Sequence, residues 1–260
     1  MMNKVLHVVL AAALTLAGSQ TAGAASGTVA VDPQADRILR EMGEYLSSAR
    51  EFSFHAEIAY DEEEGGQKIL FGGAADISVR RPDRLNAEFD GDERQTRVVF
   101  DGKTITVYNP VRKVYAAVEA HSEIDDALDR LFEAYGSSVP LADLVYSNTY
   151  ETLIRNVQSG FLVGQHRVDG IRCHHLAFSQ EGIDWQIWVE IGPRPVPRKL
   201  VITYKDEPDS PQYIAELSGW NFQPRLSEHY FTFRPPEGSD RIDFLPRQDV
   251  PGELSEEGRR

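Results

Sequence analysis

Phe52-Ser53-Phe54-His55-Ala56-Glu57-Ile58-Ala59-Tyr60 alternates: Phe52, Phe54, Ala56, Ile58 and Tyr60 fall on one side, and Ser53, His55 and Glu57 on the other. A period of two with one apolar face belongs to a half-buried β-strand. The polar run Asp61-Glu62-Glu63-Glu64-Gly65-Gly66 follows as a turn. A second long strand then places Ile69, Phe71, Gly73, Ala75, Ile77 and Val79 on one face. Gly72-Gly73-Ala74-Ala75 sits in its middle. Glycine inside a strand marks a bend or a close approach by another group. A strongly curved sheet needs such a bend.

The alternation continues downstream through Leu85, Ala87 and Phe89 to a turn at Asp90-Gly91-Asp92. Arg97–Asp101 and Thr104–Asn109 read as a hairpin around Asp101-Gly102, and Val114–Val118 as a further strand. Upstream, Asp32 caps a helix that starts at Pro33. Ile38, Leu39, Met42, Tyr45 and Leu46 form its apolar stripe, and Ser47-Ser48 ends it. The middle of the chain changes period. Ile124, Leu128, Leu131 and Phe132, then Leu141, Leu144 and Val145, then Leu153, Ile154 and Val157 predict two or three short helices.

Strands resume at Phe161 and Val163, and an Asp169-Gly170 turn leads to Ile171–Gln180 and Ile183–Ile191. Leu200–Tyr204 and Tyr213–Trp220 follow, and Phe231 with Phe233 makes the last strand. Trp185 and Trp188 are an odd number of residues apart, so they face opposite sides of the sheet. Hairpin spacing throughout, with no βαβ unit, predicts one antiparallel sheet of about eleven strands. The fold class is mainly β: an open, strongly curved sheet, with the N-terminal helix and the short central helices capping its concave face.

The ends read differently. Lys4, the apolar Val5–Ala17 and Ala22-Gly23-Ala24 have the pattern of a cleavable signal peptide over residues 1–24. No later segment is long and apolar enough to span a bilayer. No cysteine stands directly after the apolar run, so no lipoprotein acylation site is expected there, and the expected location is the periplasm or the outside of the cell. The domain is expected over residues 25–238, and residues 239–260 form a polar tail. Cys173 is the only cysteine, so no disulfide can form within the chain. The net charge of −14 disfavours nucleic acid and charge-driven adhesion to anionic membranes.

No catalytic constellation stands out. There is no Gly-x-Ser-x-Gly elbow, no recognisable Ser-His-Asp order, and no phosphate-cradling glycine loop. Cys173, His174 and His175 suggest a metal, but neighbours on a strand point apart and no second ligand cluster is present. The reading is therefore no metal and no cofactor, with Cys173 a buried thiol beside a hydrogen-bonded histidine.

Four segments together carry a family resemblance: Ser53-Phe54-His55-Ala56, Arg81-Pro82, Asp101-Gly102-Lys103-Thr104 with Tyr108-Asn109-Pro110, and Phe231-Thr232-Phe233-Arg234-Pro235-Pro236-Glu237-Gly238. In this order, behind a signal peptide, they resemble the periplasmic lipoprotein carriers of the LolA/LolB-like superfamily. Asp169–Leu176, Trp185–Glu190 and Pro197–Leu200 look more like a branch of predicted periplasmic proteins of unknown function grouped with those carriers by fold. The resemblance implies an incomplete β-barrel closed by helices, with no catalytic centre. It implies Arg81 as a latch that holds the helical lid through backbone hydrogen bonds. It also implies an apolar cavity, for which Phe54, Ile58, Phe71, Ile77, Leu85, Phe89, Trp185 and Ile187 are the candidates. The expected ligand is a lipid or an acylated lipoprotein. The alternative is an envelope protein-interaction or sensing module with a filled cavity.

Overall fold

The computed structural model describes residues 31–120, 122–135 and 141–243. The expected signal peptide and the tail beyond residue 243 lie outside the described residues. Helix α1 (Pro33–Ser48) leads into strands β1 (Glu51–Glu64), β2 (Gln67–Arg80), β3 (Arg84–Gly91), β4 (Gln95–Phe100), β5 (Thr104–Asn109) and β6 (Val114–Glu119). The central helical segment is α2 (Ile124–Tyr135), a 3-10 turn (Ala142–Leu144) and α3 (Thr149–Ile154). Strands β7 (Ser159–Val168), β8 (Ile171–Gln180), β9 (Ile183–Glu190), β10 (Pro197–Tyr204) and β11 (Gln212–Asn221) follow. A second 3-10 turn (Glu228–Phe231) and a two-residue strand β12 (Asp240–Arg241) complete the order.

All twelve strands form one open sheet in the order β12-β6-β5-β4-β3-β2-β1-β11-β10-β9-β8-β7. Two antiparallel meanders, β1–β6 and β7–β11, are joined where β1 pairs with β11. This pairing has a topological consequence. Strands β6 and β7 lie near opposite ends of the sheet, so the chain between them must cross from one side to the other. It crosses over the inner face, and α2, the 3-10 turn and α3 are that crossing.

The alternation read from the sequence sets the two faces. Phe52, Phe54, Ala56 and Ile58 of β1, Ile77 and Val79 of β2, and Ile187 and Val189 of β9 are buried in one core with Ile38, Leu39, Met42 and Leu46 of α1. Asp32 caps α1 as expected, its carboxylate accepting a hydrogen bond from the Gln34 amide at 2.7 Å. Gly43 lets α3 approach α1 closely, because a Cβ there would stand 2.6 Å from Tyr150 Cβ. The mid-strand glycine also has its reason. The Phe89 ring lies over Gly73 and Gly91, where a Cβ would come within 2.7 and 2.6 Å of it.

One expected strand is absent. Phe231 and Phe233 lie in the second 3-10 turn and the extended segment after it, which run across the outer face. Phe231 is fully buried there, with the Arg80 guanidinium 5.0 Å from its ring centre. Phe233 packs between Tyr108 and Tyr115. Asn86 donates to the Tyr230 carbonyl at 2.8 Å. The alternation of Phe231 and Phe233 is that of a strand, but the groups they pair with are side chains of β2, β5 and β6. The chain then forms β12, so the first residues of the expected polar tail pair in parallel with β6.

Candidate ligand site on the concave face

The inner face is not equally packed along its length. Of the cavity candidates, Phe54, Ile58, Ile77, Leu85, Trp185 and Ile187 are buried in the core. Phe54 stacks on Trp220 at 4.5 Å and Trp185 on Phe178 at 4.3 Å. Phe71 and Phe89 are only half-buried. They belong to a row, or trough, of mostly half-buried apolar side chains across the inner face, with Tyr60 and Ile202 its buried members. Val107 and Val98 are cross-strand partners, as are Val98 and Ala87. Phe89 lies over Gly73, Phe71 pairs with Tyr60, and Tyr60 pairs with Tyr213. Tyr213 in turn faces Ile202, two residues from Tyr204. From β5 to β10 this row crosses six strand spacings of about 4.8 Å.

Polar groups stand at definite places along the trough. At one lip, Tyr60 donates a hydrogen bond to Glu93 at 3.3 Å, and Arg94 lies 5.6 Å from the Phe89 ring centre. Farther along the row, burial pushes the Tyr204 hydroxyl up to about 12, and it also raises that of Tyr213, the cross-strand partner of Tyr60, against the opposing field of Arg94. Asp143, on the 3-10 turn of the crossing segment, lies within electrostatic reach of Tyr204. Burial pushes its carboxyl up to about 6, against the opposing field of Arg155. The sequence reading missed Tyr60, Tyr204, Tyr213 and Asp143. The tyrosines were visible in the alternation as core positions. Nothing local marked Asp143, because its setting comes from the segment's passage over the sheet.

Asp143 ties stability to pH. Its folded pKa lies above the ordinary carboxylate value of 3.8. The native state therefore holds the proton more tightly than the unfolded chain does. The contribution is complete below pH 4 and is lost as the pH rises through 6. At about 1.4 kcal/mol per unit, the loss is of order 3 kcal/mol. Chemical denaturation of the wild type and Asp143→Asn between pH 4 and 7.5 is expected to show this loss in the wild type only. Parallel pH curves for the two proteins would rule it out.

Arg81 sits at the turn between β2 and β3. Its Nη2 donates to the Tyr146 carbonyl at 2.9 Å, between the first 3-10 turn and α3. Its Nε is buried with no partner among the described residues. Burial lowers its pKa, with Asp125 the opposing influence. The same turn holds the start of α2, since the Ile124 amide donates to the Pro82 carbonyl at 2.9 Å. Within the crossing segment, the Ser147 amide donates to Asp125 at 2.8 Å.

On the outer face, Cys173 is fully buried and His175 bonds to His166 and Gln186, each at 2.9 Å. Trp188 stacks on His175 at 3.9 Å, so the two tryptophans do face opposite sides. Among the described residues, no three His, Cys, Asp or Glu side chains come together as metal ligands. Among the same residues, no helix is long and apolar enough to cross a membrane.

A family model described as "Predicted periplasmic protein (DUF2092)" matches residues 35–245. The chain belongs to this family. The description agrees with the periplasmic location expected from the leader. No curated protein matches the chain. Among solved structures, the chain is similar to the lipoprotein LppX of Mycobacterium tuberculosis, at 15% identity and a TM-score of 0.46 over 74% of this chain and 97% of that one. An uncharacterised conserved protein of Thermus thermophilus gives 12% and 0.47 over 81% and 99%. A LolA superfamily protein of Nitrosomonas europaea gives 13% and 0.39 over 76% and 97%. Overlaps of this quality carry nothing about what this family member binds.

Proposed function

We propose that the protein is a non-catalytic periplasmic carrier that holds the acyl chain of a lipid or acylated ligand against its concave face. The observation that supports this is the half-buried apolar trough running from Val107 through Val98, Phe89 and Phe71 to Tyr213 and Tyr204. Each buried methylene contributes about 0.8 kcal/mol, so a chain of roughly twelve carbons supplies roughly 9–10 kcal/mol before the cost of association. Phe71 and Phe89 line the trough. Phe54, Ile58, Ile77, Leu85, Trp185 and Ile187 form its floor and the packed core beside it. Loading and release go through movement of the crossing segment, with Arg81 as the latch.

Mass spectrometry of protein purified from periplasm without detergent, followed by organic extraction, tests the carrier. A stoichiometric lipid or acylated peptide supports it. A clean apo mass, together with no binding of added amphiphiles, overturns it. A second reading, an interaction module with a filled interior, draws on the edge strand β7. There Phe161 and Val163 are exposed beside an open groove of about 430 Å³. Capture of a specific envelope protein by the apo form, unaffected by changes in the trough, would favour that reading.

The latch has its own test. Hydrogen bonds to charged groups contribute about 1.5–3 kcal/mol, and Arg81→Ala removes one from the crossing segment. Amide exchange over residues 122–154 is expected to accelerate in Arg81→Ala, while β8 and β9 keep their protection. Uniform acceleration over the whole sheet would mean that Arg81 only contributes to global stability.

A further inference from the structure

We infer that His166 and His175 form a binding site for a divalent transition metal on the outer face of the sheet, with Cu²⁺ the ion it suits best. The site stands apart from the trough and from whatever the trough holds. His166 on β7 and His175 on β8 lie on the same face of the edge hairpin, with their Nδ1 atoms 2.9 Å apart. The partner of His175 is thus neither of its chain neighbours, Cys173 and His174, but a residue nine positions earlier on the adjoining strand.

A neutral imidazole carries one N–H and one lone pair. The Nε2 of His175 lies 2.9 Å from the Gln186 Oε1. An amide oxygen only accepts, so the His175 proton sits on Nε2 and its Nδ1 presents a lone pair to His166. A ligating histidine whose far N–H is held by a carbonyl oxygen is the usual arrangement at metal centres. His166 is exposed, so its single proton can move to the solvent-facing Nε2 and leave a second Nδ1 lone pair at the same place. An ion then replaces the proton between the two nitrogens, and the Gln186 contact is kept.

The spacing selects the ion. Metal–nitrogen bonds of about 2.0–2.1 Å separate two nitrogens by about 2.9 Å at a right angle and by about 3.3–3.4 Å at the tetrahedral angle. The observed 2.9 Å fits adjacent corners of a square-planar or tetragonal ion, the geometry of Cu²⁺ and Ni²⁺, and is short for tetrahedral Zn²⁺. The same spacing suits the hydrogen bond of the metal-free pair, so the exchange needs little movement. Between Cu²⁺ and Ni²⁺, the general affinity order of nitrogen sites favours Cu²⁺. The open groove of about 430 Å³ reaches His175 and Gln186 past Phe161 and Val163, which admits water to the remaining coordination positions. With two protein ligands the ion is exchangeable. The chain's net charge of −14 favours its approach.

The test titrates the mature protein, freed of metal by a chelator, with CuCl₂, NiCl₂ and ZnCl₂ at pH 7. Calorimetry gives the stoichiometry, and tryptophan fluorescence reports the place, because Trp188 stacks on His175 at 3.9 Å. A single Cu²⁺ per chain is expected, bound more tightly than Ni²⁺ or Zn²⁺ and quenching the fluorescence. His166→Ala, a change at an exposed position, is expected to keep the fold by circular dichroism and to abolish saturable binding. Gln186→Leu is expected to weaken it by about 10–100-fold, the usual cost of removing the group that orients a ligand. No saturable Cu²⁺ binding, or binding that His166→Ala leaves unchanged, would overturn the site. Tighter binding of Zn²⁺ than of Cu²⁺ would overturn the tetragonal assignment. Binding lost in His55→Ala instead would move the ion to the His55 ring, which bonds to Asp76 and Glu57 at 2.8 and 3.1 Å, and would overturn the site as well.

Discussion

Phe71→Glu and Val98→Glu are each expected to lower affinity for an acyl-chain ligand by about 100-fold or more, close to 3 kcal/mol. The magnitude follows from two losses. The apolar area that each side chain offers to a chain disappears, and a carboxylate is placed against methylenes that cannot hydrate it. An unpaired charge taken out of water costs several kcal/mol. Both positions are half-buried and packed at the edge of the core, so a glutamate there can reach solvent while the site is empty. The apo variants should therefore remain folded, with melting temperatures a few degrees below the wild type. Unchanged binding in both folded variants would remove the trough from consideration. Glutamate at Phe54 or Ile77 would not serve the same purpose. Those side chains are 2% and 5% exposed, so a charge there tests folding before it tests binding.

Phe231→Ala is expected to cost about 3–5 kcal/mol, the range for deleting a fully buried aromatic side chain. Phe231 has no exposure and is the part of the second 3-10 turn that enters the outer face. Around it, Glu228 bridges Arg80 and Arg84, and the Ser78 and Tyr230 hydroxyls are 3.3 Å apart. The two ion pairs reach solvent through the exposed Glu228 and contribute little by themselves. Burial of the ring is what holds the segment in place. Urea denaturation monitored by fluorescence and circular dichroism gives the value. A loss below about 1 kcal/mol, small against the usual cost of such a cavity, would show that the segment is not docked as described.

The carboxyl of Asp143 lies on the segment that crosses the sheet, and Arg81 holds that segment from the β2–β3 turn. Their effects are expected to be smaller than those of the trough floor or Phe231. Each acts through one hydrogen bond or one ionisation.

The long alternations of β1 and β2, the hairpin at Asp101-Gly102 and the cap at Asp32-Pro33 were legible because each depends on residues near in sequence. Side chains two apart on a strand share a face, and an N-cap satisfies an amide within its own first turn. The mainly β fold and its apolar inner face follow from those local patterns. The outer-face course of Phe231 and Phe233 was not legible, because the same alternation serves a strand or a segment docked through side chains. Which candidates form packed core and which line a trough was also undecided by local pattern. Phe54 and Phe71 share a face and a residue type, and they differ only in what lies above them. What lies above depends on β1 pairing with β11, a contact between residues 53–60 and 213–221. That pairing puts β6 and β7 far apart and carries the crossing segment over the inner face. It thereby places Asp143 near Tyr204 and Arg81 under Tyr146.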